Sequence, residues 1–171
     1  MRINVHSLRQ GLQEFEFDAT AESLGIEEGE LDLKTVHIGS AVDKRGRDIV
    51  VTSHVVAQVV YECHRCLQEF VSSIEETCRT IYTTDYDAVS GDDEEVLELI
   101  RPNTTEIDLE HGVRESLLLA VPIRVVCSEQ CKGLCPHCGA NLNVTTCSCQ
   151  STSVDPRWKG LEKLLEQRTK E

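Results

Sequence analysis

Six of the nine cysteines in this chain of 171 residues fall in one stretch, CSEQCKGLCPHCGANLNVTTCSC, from Cys127 to Cys149. Thiols this dense leave few ways to fold: they gather on a metal, pair as disulfides, or are buried as small apolar groups. At the centre, Cys135-Pro136-His137-Cys138-Gly139 has the form of a zinc knuckle. Two thiolates three positions apart grip one ion from a tight turn, and the glycine after them permits backbone conformations that a side chain would obstruct. A second pair, Cys147 and Cys149, follows after eight intervening residues and completes the thiolates needed for a closed tetrahedral site.

Compartment decides among the three fates. No apolar run approaches the roughly 20 residues that span a bilayer, and Met1-Arg2-Ile3-Asn4-Val5-His6 lacks the apolar region of a secretory signal. These features predict a cytoplasmic protein. There, an odd cysteine count argues against a disulfide framework and for metal ligation.

The cysteines form four close pairs, 63/66, 127/131, 135/138 and 147/149, with Cys78 left over in a strand pattern as a buried small apolar side chain. Four pairs suit two tetrahedral sites. The local one comprises Cys135, Cys138, Cys147 and Cys149, although Cys-x-Cys is a less usual grip than Cys-x-x-Cys. The other joins Cys63 and Cys66 to Cys127 and Cys131 across more than sixty residues. The bland alternative is buried thiols, with Cys131 substituting in the local site. One or two zinc ions are thus expected, though four thiolates also suit iron.

The rest of the chain reads as a scaffold. Short strands are predicted at Arg2–Val5 and Glu14–Asp18, with Gly11 between them, and alternation continues from Leu31 to Ile38. The strongest strand signal spans Asp48–Glu62, where Ile49, Val51, Val55, Val59 and Tyr61 lie mostly on one face and Val50, Val56 and Val60 on the other. A return strand follows from Gln68 to about Thr83. Together they predict a long hairpin with Cys63-His64-Arg65-Cys66 at its tip. Residues 84–106 read as an acidic loop. Asp108 then reads as the N-cap of a helix ended by Pro122, and Asp155-Pro156 opens a terminal helix with Trp158, Leu161 and Leu165 in one stripe.

The expected class is therefore α+β: an antiparallel β-sheet domain with a long hairpin and one packed helix over 1–126, a cysteine-rich segment at 127–150, and a C-terminal helix over 151–171 docking on the core. Function classes narrow in parallel. The formal net charge is −13, which opposes unaided grip on a phosphate backbone. Only 127–171, with Lys132, Arg157, Lys159 and Lys163, is near neutral. No phosphate-cradling glycine loop, HExxH or GxSxG occurs, so an enzyme is not expected. No membrane partner or small-molecule substrate is implied. A reactive Cys63-Cys66 pair gains acidity from neighbouring cations, which His64 and Arg65 supply, or from a helix N-terminus, which is missing because the residues from Gln68 onward read as a strand.

Cys63-His64-Arg65-Cys66 at the tip of a strand pair resembles the YceD-like family, also called large ribosomal RNA subunit accumulation proteins. So do Leu117-Leu118-Leu119-Ala120-Val121-Pro122-Ile123, the run from Cys131 to Asn143, and Asp155-Pro156-Arg157. The resemblance spans most of the chain in the family's order. It implies a cytoplasmic bacterial protein that supports synthesis, processing or accumulation of large-subunit ribosomal RNA, with no known enzymatic activity. The expectation is a non-enzymatic ribosome-assembly factor whose partner is that RNA, a basic ribosomal protein or an assembly intermediate, an acidic body holding a cationic partner by charge complementarity. The alternative is a thiol-based redox or metal-sensing protein using its CxxC pairs.

Overall fold

The computed structural model describes residues 1–27, 29–85 and 96–149. The predicted C-terminal helix and residues 86–95 of the acidic loop lie outside the described residues.

Those described form a mostly β structure with one short helix. Five strands make the main sheet in the order β2 (Gly11–Ala19), β3 (Asp32–Arg45), β4 (Asp48–Glu62), β5 (Glu69–Thr83), β6 (Val96–Leu99). All neighbours run antiparallel except β6, which lies parallel to the end of β5. Separately, β1 (Arg2–Asn4) pairs with β7 (Glu106–Asp108), bringing the two ends of the described domain core together.

The long strands are rich in Val, Ile and Thr, whose branched side chains suit a pleated surface. Period-two alternation fixes the register: Val36, Ile38 and Val42 on β3 and Ile49, Val51, Val55 and Val59 on β4 are all buried on one face. Val50, Val56 and Val60, of the other parity, stay half-buried. Each fully buried Val, Ile or Leu contributes about 1.5–3 kcal/mol of transfer free energy. On that same face Ser40 and Ser53, cross-strand partners, satisfy one another with a 2.8 Å hydroxyl–hydroxyl hydrogen bond. β3 and β4 are joined by Gly46-Arg47 alone, and Gly46 has φ 63°, the sign that a tight connection between twisted strands demands.

Gly11, expected in a connection, instead begins β2, and β3 runs to Arg45, well beyond Ile38. Helix α1 (Glu110–Ala120) covers the buried face with Val113 and Leu117, one turn apart and essentially inaccessible. Its N-cap is Leu109, one residue later than expected, because the Leu109 amide donates to the Met1 carbonyl at 2.9 Å. Asp108 still caps in effect, its Oδ1 accepting from the Glu110 amide at 3.0 Å. The helix stops where Val121 turns extended (ψ 118°), the conformation that Pro122 imposes on its predecessor. From there the chain returns to the tip of β4 and β5. No helix among the described residues is long and apolar enough to cross a membrane.

Candidate metal centres

Where β4 ends, residues 63–68 turn the chain into β5. The Leu67 amide donates to the Cys63 carbonyl at 2.9 Å, and the Cys63 amide donates to the Gln68 carbonyl at 3.0 Å. Cys135–Ala140 repeats this turn: the Gly139 amide donates to the Cys135 carbonyl at 2.9 Å, and the Cys135 amide to the Ala140 carbonyl at 2.8 Å. Two CxxC pairs far apart in sequence thus share one backbone arrangement, each turning both sulfurs to the same side.

The structure gathers the eight expected ligand cysteines into two groups of four. One holds Cys63, Cys66, Cys127 and Cys131, the other Cys135, Cys138, Cys147 and Cys149. Within each group all sulfurs lie within 4.8 Å of one another. Cys63 Sγ is 3.8 Å from Cys131 Sγ, and Cys66 Sγ is 3.7 Å from Cys127 Sγ. All nine cysteines are free thiols. A tetrahedral ion with metal–sulfur bonds of about 2.3 Å has edges of about 3.8 Å, so these separations fit a bound ion without rearrangement. An all-sulfur donor set suits zinc or iron and disfavours hard cations.

The groups differ in setting. In the first, Cys63, Cys66 and Cys131 are buried and form a small core with Phe70, Val126 and Leu134 around it. In the second, Cys135 is buried but Cys138 and Cys149 are exposed.

Each group has a sulfur predisposed to ionise. Burial pushes the Cys63 thiol up, but the amides of Cys127, Arg65 and Cys66 directed at it prevail and bring it down to about 6. The Cys127 amide lies 3.3 Å from that sulfur. In the second group the amides of Cys138 and His137 bring Cys135 down to about 6 as well. Burial, then the neighbouring sulfurs, push Cys127 up to about 12. An amide-stabilised thiolate is an electrostatically prepared landing point for a divalent ion.

Sequence reasoning reads His64 and Arg65 only as cations beside a CxxC. Structurally they tie the 125–134 segment to the strand tip. The His64 amide donates to Val125 O at 3.0 Å, and Arg65 Nη1 donates to Cys131 O at 2.9 Å and Glu129 O at 3.2 Å. Asn143, in the loop between the two ligand pairs of the second group, donates its side-chain amide to Cys131 Sγ at 3.3 Å. An Asn within a ligand loop is the available signal, but nothing in the sequence says which sulfur it meets. Cys78 sits half-buried on β5, outside both groups.

The family model described as large ribosomal RNA subunit accumulation protein YceD matches residues 51–165. An uncharacterized protein of Mycobacterium tuberculosis is 29% identical over 147 residues, 84% of this chain and 67% of that relative. Uncharacterized protein YlbN of Bacillus subtilis is 27% identical over 173 residues, 98% of each chain. A chloroplastic large ribosomal RNA subunit accumulation protein YCED homolog 1 of Arabidopsis thaliana is 38% identical over 66 residues, covering 39% of this chain and 21% of the relative. No solved structure matches.

Proposed function

Because this chain belongs to the YceD family of large ribosomal RNA subunit accumulation proteins, we propose that it supports accumulation of large-subunit ribosomal RNA as a non-enzymatic assembly factor. The family match across residues 51–165 carries this reading. Its two cysteine groups, Cys63, Cys66, Cys127 and Cys131 with Cys135, Cys138, Cys147 and Cys149, are structural zinc sites. Zinc supplies a closed four-coordinate clamp with no open position for substrate. The sulfurs supply everything else: they fasten the 125–149 segment to the tip of β4 and β5.

The protein acts in the cytoplasm by holding a partner. With a net charge of −13, and about two further negative charges for each loaded four-thiolate site, its body suits a basic ribosomal protein or a cationic face of an assembling subunit better than bare RNA. A thiol-redox role is less well supported, since Cys63 and Cys66 are buried and lead into strand β5 rather than a helix N-terminus.

Two measurements test this reading. Deleting the gene should lower the ratio of large- to small-subunit ribosomal RNA, with rescue by the wild-type chain and not by Cys135→Ser; an unchanged ratio refutes the assembly role. Elemental analysis of freshly purified protein should find two zinc ions per chain. A metal-free, folded protein refutes the structural role.

A further inference from the structure

The two cysteine groups are separated along the chain by only three residues, Lys132-Gly133-Leu134, between Cys131 of one and Cys135 of the other. The backbone contacts of that linker tie it to both sites. The Leu134 amide donates to Arg65 O at 3.1 Å, on the turn of the first site. A Cβ on Gly133, which has φ 73°, would come within 3.0 Å of that same carbonyl, so the linker and the turn are in direct contact. From the other side, the Leu142 amide donates to Gly133 O at 2.9 Å, and Leu134 forms an isolated bridge with Asn141. The Lys132 amide donates to Asn143 Oδ1 at 2.8 Å.

Asn143 therefore stands where both sites meet. It belongs to the loop between the ligand pairs 135/138 and 147/149, and its amide orientation is fixed by Lys132 N on Oδ1 and by Asn141 Oδ1, which accepts from Nδ2 at 2.9 Å. The same Nδ2 donates to Cys131 Sγ of the first site. A donor on a metal-bound thiolate offsets part of its charge and fixes its direction.

Building on the zinc reading above, we propose that the two sites load as a coupled pair, with Asn143 as the positioning residue that carries occupancy of the Cys135–Cys149 site to the Cys131 corner of its neighbour. Filling the more exposed second site closes the 139–147 loop, which sets Asn143 against Cys131 and tightens the first. Linkage makes the effect reciprocal: the first site, when filled, raises the affinity of the second by the same factor.

The test titrates the metal-free full chain with zinc against a chromophoric chelator, and with cobalt to follow sulfur-to-metal charge transfer. Variants are Cys147→Ser/Cys149→Ser, which empties the second site, Cys63→Ser/Cys66→Ser, which empties the first, and Asn143→Asp. The aspartate keeps the acceptor for the Lys132 amide and the backbone bond to Asn141 Oδ1, but removes the Nδ2 donor to both Cys131 Sγ and Asn141 Oδ1. Each should weaken a remaining site by about 10–100-fold, the range for lost outer-shell partners. The loss at the second site in Cys63→Ser/Cys66→Ser should equal the loss at the first in Cys147→Ser/Cys149→Ser. Adding Asn143→Asp to Cys147→Ser/Cys149→Ser should cost little more. Two equivalents bound by the wild-type chain, with the affinity of each remaining site unchanged by these substitutions, would overturn the coupling and leave the zinc reading intact. Fewer than two equivalents in the wild-type chain would refute the two-site reading itself.

Discussion

Leu67 and Gly139 hold the same place in two copies of one turn, each following the second cysteine of a CxxC and each with a left-handed backbone, φ 57° and 72°. Glycine reaches that region freely, whereas a leucine there brings its Cβ against the next carbonyl, a cost of about 1–2 kcal/mol. Leu67 is the one non-glycine residue with positive φ among those described, and it is 57% exposed. Its side chain recovers little of that cost by burial.

Leu67→Gly should therefore stabilise the metal-loaded protein by up to about 1 kcal/mol, the unfolded-chain entropy of glycine taking back part of the strain relieved. Gly139→Leu should destabilise by about 1–2 kcal/mol. Thermal melting of both variants, loaded to equal metal content, reads the two signs. A loss of stability in Leu67→Gly would mean that the leucine makes contacts worth more than its backbone strain.

Gly133→Ala should do more damage than an ordinary left-handed glycine substitution. It carries the left-handed cost of about 1 kcal/mol and also sets a methyl 3.0 Å from the Arg65 carbonyl, a backbone atom with no easy retreat. Gly139→Ala meets nothing within 4 Å and carries the backbone cost alone. The expected order of melting temperatures is wild type, then Gly139→Ala, then Gly133→Ala.

Helix α1 offers an internal control for packing. Leu117 is fully buried between the helix and β4 and β5, while Leu119, two residues on, is 86% exposed. Leu117→Ala should cost about 2–5 kcal/mol, and Leu119→Ala should stay within about 0.5 kcal/mol of wild type. Urea unfolding reads both.

Much of this fold is legible in the sequence because the long strands carry their own evidence. Alternation from Ile49 to Val59 sorts buried from half-buried valines, and Pro122 marks the end of α1. Close cysteine spacing shows which thiols share a turn. What escapes is decided between distant segments. The pairing of Ile3 with Ile107 leaves no trace in either three-residue strand, and Val96–Leu99 is too short to display a period before it settles parallel to β5. That pairing with β1 also moves the helix N-cap from Asp108 to Leu109. The roles of His64, Arg65 and Asn143 escape for a similar reason. Each looks like a loop residue until the opposite segment arrives to receive its hydrogen bond.

The −13 charge makes a prediction about ligand type. Binding to purified large-subunit ribosomal RNA alone should be weak and fall steeply with salt, because so few cations are available to displace counterions from phosphate. Filter binding across a salt series checks this. Tight binding to bare RNA at physiological salt would mean that a local cationic surface outweighs the acidic body, and that the protein-partner reading is wrong.

Removing the metal should split the molecule into a part that persists and a part that melts. The sheet owes nothing to the ligand sulfurs: its core is mainly Val, Ile and Leu, and none of the eight ligand cysteines belongs to it. The 125–149 segment holds no helix and no named strand, only turns and one isolated bridge, so its order rests on ligation, on the packing of Val126 and Leu134 around the first cysteine group, and on the few bonds to His64 and Arg65. Structural zinc contributes folding free energy directly. Chelation should therefore abolish hydrogen-exchange protection of the Leu134, Cys135, Gly139 and Leu142 amides, whose acceptors are Arg65, Ala140, Cys135 and Gly133. The β3 and β4 amides at Ile38, Val55 and Val59 should stay protected. The far-ultraviolet strand signal should persist, and restoring zinc should restore the four amides. If those amides keep their protection without metal, the hydrogen bonds from His64 and Arg65 suffice to hold the segment, and the sulfurs have some task other than structure.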